Sequence, residues 1–298
     1  MPSESELIEA FLAPFGGGEG VGSDCASLQP RRGFKLVATT DALVEGVHFT
    51  LPAFSPEDVG WKALAVNLSD LAAAGARPRW FLCALGVPRG ASIGFARRMA
   101  RGMAALSRRS GCAIVGGNVT RGSEWSVTIT ALGEAKRPLD RFGARPGDAL
   151  VVAGKLGDAA AGLRGSAAGF RAQRRPEPLV DEGIAAARFA SASIDVSDGF
   201  LRDLGNLCAQ SRCGAQVDLD ALPIGPAARA RKDGLSLALS GGEDYALILS
   251  VPQRRLASLR RAVRCVEVGR IVRGSGIALT KDGRPYPLPA LLGFDHLR

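Results

Sequence analysis

Ser193-Ile194-Asp195-Val196-Ser197-Asp198-Gly199-Phe200-Leu201 is the stretch of this chain that most narrows its fold. Ile194 and Val196 are apolar and alternate with polar residues, which indicates the end of a buried β-strand. Ser197 is a good N-cap residue, and apolar residues then recur at helical spacing as far as Gly214. The stretch therefore predicts a junction at which a strand ends and a helix begins.

Two aspartates, Asp195 and Asp198, flank this junction. Carboxylates crowded at one point repel each other unless a cation lies between them, and a helix N-terminus favours a bound anion. Mg²⁺ together with phosphate oxygens would satisfy both demands. The alternative is that Asp198 only supports the first helical turn and that Asp195 is an exposed loop acid. The stretch by itself leaves both interpretations open.

The composition bounds the class of protein. The chain has 298 residues, enough for two domains of ordinary size or one large one. A hydrophobic fraction of 46% and a charged fraction of 22% are typical of a soluble globular protein with a substantial core. The net charge of +9 comes mainly from arginine pairs without interleaved aromatic residues. This arrangement disfavours a specific nucleic-acid partner and suits anionic small substrates.

The six cysteines form no Cys-x-x-Cys pair, and several lie in apolar runs. This usage argues against a zinc site or a disulfide framework and favours a reducing, cytoplasmic compartment. The first residues are acidic and lack the apolar core of a signal peptide. No apolar run approaches the roughly 20 residues that a membrane-spanning helix needs, so we expect no membrane partner.

The first half of the chain places two aspartates where a ligand could reach them. Residues 4–15 have the pattern of a short amphipathic helix, and the glycine-rich run 16–22 leads to Asp24. A strand predicted over 34–40 ends at Asp41. Acids in such places are candidate site residues, and a simple turn-forming role is the alternative.

A third aspartate lies on a predicted helix. Ser55 followed by Pro56 and two acids is a helix-start signal, and the helix is predicted to run to about Ala74. Asn67 and Asp70 share a face of this helix that otherwise carries small residues. This suggests close approach to something polar, with a solvated Asp70 as the alternative.

Strands and helices are predicted in both halves, which indicates two α/β or α+β domains. The composition turns to Pro, Gly, Arg and Asp over 133–148, so we predict an N-terminal domain of 1–138 and a C-terminal domain of 139–298. A strand over 112–115 is predicted to end before the glycine pair that follows it. Residues 164–178 are polar and punctuated by glycine and proline, and we expect a mobile loop there.

Five aspartates share the same kind of placement, at a strand end, on a glycine loop or on a small-residue helix face. They are Asp24, Asp41, Asp70, Asp195 and Asp198. In a basic protein such a set points to a site for a hard cation such as Mg²⁺, which takes oxygen ligands and bridges to phosphates. The chain has no Walker A loop, no kinase catalytic-loop signature and no Gly-x-Ser-x-Gly elbow. The residues alone therefore predict a protein that binds metal and phosphate without a familiar nucleotide loop.

Four longer segments, in a fixed order, carry a resemblance to a known family. They are TTDALVEGVHF (39–49), KALAVNLSDLAAAGA (62–76), DVSDG (195–199) and SGGEDY (240–245). With them the chain closely resembles the thiamine-monophosphate kinase family of the AIR synthase-like (PurM-like) superfamily. The resemblance covers almost the whole chain, from the glycine-rich loop to Phe294-Asp295-His296.

This resemblance implies an N-terminal α/β domain that dimerises through its sheet and a C-terminal α+β domain that covers the cleft. It also implies a cytoplasmic homodimer in which ATP donates its γ-phosphoryl group to the phosphate of thiamine monophosphate. Donor and acceptor are both polyanions, so Mg²⁺ held by carboxylates would cancel their repulsion and set the in-line geometry. No general base is needed, because the acceptor is already an anionic oxygen.

By matching position, the resemblance also implies three groups of site residues. The Mg²⁺ ligands would be Asp24, Asp41, Asp70, Asp195 and Asp198, with Asp195 and Asp198 as the catalytic pair. The contacts to ATP would be Thr39, Thr40, Gly117, Asn118, Arg141 and Ser197. The thiamine site would be lined by His48, Glu243 and Phe294, the last by stacking.

Two positions depart from the pattern of the family. Ser23 stands where the family's Gly-Asp-Asp has its first acid, and Asn118 stands at the acid of Gly-Gly-Asp-Thr-Thr. Asn118 can offer a carbonyl oxygen but no charge, so we expect weaker metal binding or a lost metal position. Two alternatives to the kinase function follow from these departures. The protein could use the same ATP and Mg²⁺ site with another small-molecule acceptor, or it could be a nucleotide-binding homologue with weakened catalysis.

Overall fold

The structure is a computed structural model that describes residues 3–17 and 21–294. The chain divides into two compact units. The first consists of the residues up to Leu71 together with Arg77–Lys136. The second consists of Ala72–Ala76 together with the residues from Arg137 onward.

The first unit is a four-stranded sheet with helices. Its elements in chain order are α1 Glu4–Leu12, a 3₁₀ turn Ala13–Phe15, β1 Lys35–Val44, α2 Pro56–Ala73, β2 Arg77–Val87, α3 Ile93–Ser110, β3 Ala113–Arg121 and β4 Ser126–Ala135. The strand order is β1-β4-β2-β3, with β2 and β3 parallel and the other pairs antiparallel. A parallel pair needs a crossover connection, and α3 supplies it.

Helix α2 begins where the sequence predicts. Ser55 N donates to Asp58 Oδ2 at 3.1 Å, and Asp58 N donates to Ser55 Oγ at 3.2 Å. This reciprocal pair satisfies two amides that the first turn leaves without helical partners. The helix ends at Ala73, shortly before Gly75, whose φ of 64° is left-handed.

Strand β1 is longer than predicted. It continues past Asp41 to Val44, because Asp41 pairs with Ile129 and Val44 pairs with Ser126 of β4. The prediction that Asp41 ends its strand was therefore wrong. Polar residues at 39–41 interrupt the apolar pattern, but Ala42-Leu43-Val44 resume it and pairing with β4 keeps the backbone extended.

Strand β3 is also longer than predicted. The prediction that it ends at Val115 was wrong, because Gly117 pairs with Cys83 and Asn118 pairs with Ala84 of β2. The pairing register shifts just before this segment, at a bulge. Gly117 and Asn118 therefore lie within a strand.

The second unit is built on a seven-stranded sheet of order β11-β10-β7-β9-β5-β8-β6, in which only β10 and β7 pair in parallel. Its elements are β5 Ala149–Ala153, α4 Asp158–Leu163, α5 Ala167–Arg174, α6 Val180–Ala186, β6 Ala192–Asp195, α7 Phe200–Ser211, β7 Gly214–Asp218, a 3₁₀ turn Leu219–Ala221, α8 Pro226–Arg229, α9 Gly234–Ser240, β8 Leu247–Val251, α10 Gln253–Ala262, β9 Cys265–Val272, β10 Gly276–Lys281 and β11 Arg284–Tyr286.

Strand β5 shows that both faces of this sheet are covered. Leu150 and Val152 pack in a core cluster with Phe200 of α7. Val151, between them, packs in a second cluster with Leu259 of α10. Successive side chains of a strand point to opposite faces, so a strand buried on both sides reads as a continuous apolar run.

Residues 164–178 are not a loop without structure, and that prediction was wrong. Helix α5 lies there, and the Ser166 side chain accepts from Gly169 N at its start. Gly162 of α4 packs closely on α5, because a Cβ built at Gly162 would lie 2.4 Å from the main-chain carbon of Gly169.

Among the described residues, no helix has the length and apolar character needed to cross a membrane.

Candidate functional site

Two predicted site residues of the first unit, Thr39 of β1 and Asp70 of α2, contact each other. Thr39 Oγ1 donates a hydrogen bond to Asp70 Oδ2 at 2.5 Å. Asp41 lies two residues along β1 and is exposed, and its side chain leaves the strand on the same face as that of Thr39. The structure thus brings Thr39 and Asp70 into contact and places Asp41 on the same face. Carboxylate and hydroxyl oxygens are ligands of the kind that a hard cation takes.

Thr40 and Asn118 lie on the opposite face of the sheet. Thr40 follows Thr39, so its side chain points the other way, and its Oγ1 donates to a main-chain oxygen of β4 at 3.0 Å. Asn118 pairs with Ala84, and both are exposed, whereas Cys83 beside Ala84 is buried. Strands β1 and β3 are also opposite edges of the sheet. Within this unit, Asn118 is therefore not brought to the Thr39 face.

Gly117 has a structural reason to be glycine. A Cβ at this position would lie 1.9 Å from the main-chain oxygen of Cys83, so no other residue fits without a shift of the backbone. This close strand approach explains the residue independently of any ligand. Its contact with ATP stays a prediction.

His48 is held through its ring and through its backbone. Its Nδ1 accepts from Val44 N at 3.0 Å, and its carbonyl oxygen accepts from Lys62 Nζ at 3.2 Å. Lys62 is fully buried on α2, with Nζ 5.3 Å from the centroid of the Phe54 ring. Sequence reasoning missed Lys62. A lysine inside an otherwise apolar and small-residue helical run was the available signal, since lysine is almost never buried unless it is paired.

Asp24 and Arg141 occupy exposed segments. Asp24 lies in a bend just after Gly22, whose φ is 110°. Arg141 is exposed, and its main-chain oxygen accepts from Ser211 Oγ at 2.6 Å. The assignments of both side chains stay predictions.

The predicted cluster of five aspartates is not contained in one unit. Three of them belong to the first unit, and Asp195 and Asp198 belong to the second. Over residues 3–17 and 21–294, neither unit by itself brings together three or more His, Cys, Asp or Glu side chains that could hold a metal ion. The shared metal site stays a prediction.

The strand-to-helix junction has the predicted outline but a different cap. Asp195 is the last residue of β6 and is buried, so the alternative that it is an exposed loop acid was wrong. Asp198 is half-buried, and its Oδ2 lies 3.4 Å from Arg202 Nε. The N-cap of α7 is Gly199 rather than Ser197.

The reason for the different cap is Asp203, which sequence reasoning missed. One oxygen of its buried carboxylate, Oδ2, accepts from the backbone amides of Ser197 at 3.0 Å, Asp198 at 3.0 Å and Gly199 at 3.1 Å. Burial raises the pKa of Asp203 to about 6, against the lowering effect of these amides. An acid in the first turn of a predicted helix was the available signal.

A second loop packs on this junction. Glu243 N donates to Ser197 O at 2.8 Å, and Tyr245 N donates to Val196 O at 2.9 Å. Glu243 and Tyr245 both have left-handed φ angles, of 66° and 50°. Non-glycine residues rarely adopt such angles, and they cluster at functional sites. The Glu243 carboxylate accepts from Gln173 Nε2 of α5 at 3.1 Å.

The end of the described chain lies against the same junction. Phe294 N donates to Asp198 O at 2.9 Å, and the Phe294 residue is 52% exposed. Asp295 and His296 lie outside the described residues. Residues far apart in the sequence, Ser197, Asp198, Glu243 and Phe294, are thus brought together at one place in the second unit.

A cavity of about 290 Å³ adjoins Glu243 within the second unit. Its walls carry both signs of charge, from Lys155, Asp158, Arg175, Glu177, Glu243 and Asp244 among others. Asp244 is held at its wall, because its Oδ2 accepts from Gly157 N at 2.5 Å and its Oδ1 from Ala159 N at 3.2 Å. Burial raises the pKa of Asp244 to about 7, although both amides favour the ionised form.

Comparison with known protein families gives a family match for each half of the chain. Residues 22–135 match the family described as AIR synthase related protein, N-terminal domain, and residues 145–282 match its C-terminal domain. The class is therefore that of two-domain AIR synthase related proteins. Within it, a thiamine-monophosphate kinase from Salmonella typhimurium is 40% identical over 300 residues, covering 93% of this chain and 91% of that protein. The chain belongs to the thiamine-monophosphate kinase family.

Solved structures agree with this placement. The thiamine-monophosphate kinase from Stenotrophomonas maltophilia has a TM-score of 0.83 at 38% identity, covering 95% of this chain and 98% of the other. A structure described as AaThiL complexed with AMPPCP and TMP has a TM-score of 0.81 at 31% identity, covering 98% of this chain and 95% of the other.

Proposed function

We propose that this protein transfers the γ-phosphoryl group of ATP to the phosphate of thiamine monophosphate, giving thiamine diphosphate and ADP. The observation that carries the proposal is the meeting of the Ser197–Asp198 junction with Glu243 and Phe294 in the second unit. Residues expected to contact the nucleotide and metal thus adjoin residues expected to line the thiamine site. Membership of the kinase family, with relatives that match 93–95% of the chain, supports the same reaction.

The residues would act mainly by binding and orienting. An anionic oxygen of thiamine monophosphate attacks the γ-phosphorus, and the bond from that phosphorus to the β-phosphate oxygen breaks. Ser197 is exposed at the junction and would contact the nucleotide. Phe294 would stack on a thiamine ring, and Glu243, held by Gln173, would face the cationic substrate. Positioning of two polyanions in line is the main contribution asked of the protein.

The donors fit Mg²⁺ in their chemistry. Asp41, Asp70 and Asp198 offer carboxylate oxygens in exposed or half-buried places, which suits an ion that keeps several waters and shares phosphate oxygens. Asp24 and Asp195 complete the proposed ligand set, and Thr39, Thr40, Gly117, Asn118 and Arg141 the proposed ATP contacts. When bound, Mg²⁺ would neutralise charge on the phosphates.

The active species we propose is a cytoplasmic homodimer joined through the first unit's sheet. One face of that sheet is open: Leu36 of β1 is 47% exposed and Leu82 of β2 is 37% exposed, although both lie within strands. A second copy would bury these side chains. All six cysteines are free thiols, which suits a reducing compartment.

The test is an assay of ADP release with and without thiamine monophosphate. We expect release that depends on this acceptor. Asp198→Asn should lower turnover by at least about a hundredfold, because the side chain proposed to hold Mg²⁺ against the phosphates loses its negative charge. Release with a different acceptor, or tight ATP binding without turnover, would contradict the proposal and support the alternatives of another substrate or a weakened homologue.

Asp233→Asn is a matched control for Asp198→Asn. Both aspartates are ion-paired to an arginine, Asp233 with Arg231 at 2.8 Å, and both side chains are about one-quarter to one-third exposed. The control should keep normal turnover. Equal turnover in the two variants would show that Asp198 is not a metal ligand and only supports the first turn of the helix.

A further inference from the structure

We propose that Asp203 is a positioning residue for phosphoryl transfer, and this inference rests on the function proposed above. Asp203 touches neither substrate nor metal in this proposal. Its carboxylate instead fixes the backbone of the junction that presents Ser197 and Asp198. The geometry that points to this role is one carboxylate oxygen shared by the three consecutive amides from Ser197 to Gly199.

The Asp203 carboxylate takes the place of an anionic ligand that the amides of this junction would otherwise bind. Consecutive amides at a helix N-terminus form a site for phosphate or another anion. Here the Asp203 carboxylate, which is 2% exposed, already occupies the inner side of those amides. The amides are therefore not available to the phosphates of a nucleotide. Recognition of the nucleotide at this junction would then depend on side chains, the Ser197 hydroxyl directly and the Asp198 carboxylate through Mg²⁺.

The outer side of the same backbone is held as well. Ser197 O accepts from Glu243 N at 2.8 Å, and Asp198 O accepts from Phe294 N at 2.9 Å. Amides point inward to Asp203 and carbonyls point outward to the residues proposed for the thiamine site. Loss of the inner contact should therefore move the metal ligand and the substrate contacts together.

The test compares Asp203→Asn and Asp203→Ala with the wild-type protein. The asparagine keeps one acceptor oxygen for three amides but loses the charge, and the alanine loses both. We expect kcat to fall about tenfold in Asp203→Asn and further in Asp203→Ala, with a higher Mg²⁺ concentration at half-maximal activity. Hydrogen exchange at the amides of 197–199 should accelerate in the same order.

Asp148→Asn is the matched structural control. Asp148 is also buried, and its Oδ2 likewise accepts three hydrogen bonds, from Arg145 N, Ser191 Oγ and Ser250 Oγ. It lies just before β5, at the opposite end of the strands from Asp195, since Ala149 pairs with Val251 and Asp195 with Leu247 of β8. This variant should lose thermal stability while its Mg²⁺ dependence stays normal.

The outcomes separate the two proposals. The positioning role would be overturned if the Asp203 variants lose stability as Asp148→Asn does but keep the wild-type kcat and Mg²⁺ dependence. Hydrogen exchange at the amides of 197–199 would also stay at the wild-type rate in that case. A wild-type protein without activity on thiamine monophosphate would overturn the proposed function. In that case the Asp203 variants could still show faster hydrogen exchange at the amides of 197–199 and weaker Mg²⁺-ATP binding by calorimetry. Both results together would support Asp203 as the residue that orders the junction. Should Asp203→Ala fail to fold, Asp203→Asn carries the comparison.

Discussion

At the scale of single residues, Asp244 shows how burial and hydrogen bonding compete. Its two oxygens accept from Gly157 N and Ala159 N, which favours the carboxylate, yet its pKa is raised to about 7 because burial dominates. The nearby carboxylates of Asp158 and Glu243 act in the same direction. A carboxyl group whose pKa is raised by burial thus lies at the wall of the cavity beside Glu243.

This raised pKa predicts how stability changes with pH. Between an unfolded pKa near 3.8 and a folded pKa of about 7, the native protein binds a proton that the unfolded chain has released. The contribution of Asp244 to stability is therefore present at low pH and lost as pH rises through this window. In the wild-type protein, the free energy of unfolding in urea should fall as pH rises from 4.5 to 7. In Asp244→Asn this fall should be less steep, by up to about 1.4 kcal/mol per pH unit.

Asp233→Asn serves again as the control. Hydrogen bonding to Arg231 lowers the pKa of Asp233, so its titration falls below this window. The control should keep the wild-type slope whatever its absolute stability. An unchanged slope in Asp244→Asn would show that Asp244 does not hold the proton.

At the scale of elements, α2 and α3 cross through a pair of glycines. A Cβ at Gly60 of α2 would lie 1.9 Å from Met99 O, and a Cβ at Gly102 of α3 would lie 1.9 Å from Glu57 O. The contact is reciprocal, each glycine facing the other helix's backbone. This close approach sets the position of α2, which carries Asp70.

We expect Gly60→Ala and Gly102→Ala each to destabilise the protein by at least about 2 kcal/mol in urea unfolding, because the helices must separate. Gly205→Ala in α7 is the matched control, since a Cβ there meets nothing within 4 Å. That change should stabilise by about 0.5–1 kcal/mol through helix propensity. Equal effects of all three changes would contradict the close crossing.

At the scale of the whole molecule, the open face of the first unit's sheet is the surface through which we propose that two copies assemble. The predicted dimer buries Leu36 and Leu82, so Leu36→Glu or Leu82→Glu should give a monomer by light scattering, where the wild-type protein has twice the chain mass. Leu163→Glu is the control: Leu163 is 65% exposed but lies in α4 of the second unit. Dissociation by the control as well, or a monomeric wild type, would contradict assembly through this face.

The candidate site was partly accessible from the sequence. The junction at Asp195 and Asp198, the helix start at Ser55 and the family motifs depend on residues close together in the chain, and local rules cover such spacings. Asp203 and Lys62 were missed for a different reason. An acid or a lysine on a helix is ordinarily solvated, and only packing shows that these two are buried and hydrogen-bonded.

The sequence by itself determined the family and most of the elements, and it supplied the predicted site residues, because capping, periodicity and motif spacing act over a few residues. Only the tertiary structure decided that β1 continues through Asp41, that Asn118 lies on the opposite face from Thr39, and that the amides at Ser197 are taken by an internal carboxylate. Strand pairing and burial join residues far apart in the chain, and local pattern carries no information about such partners.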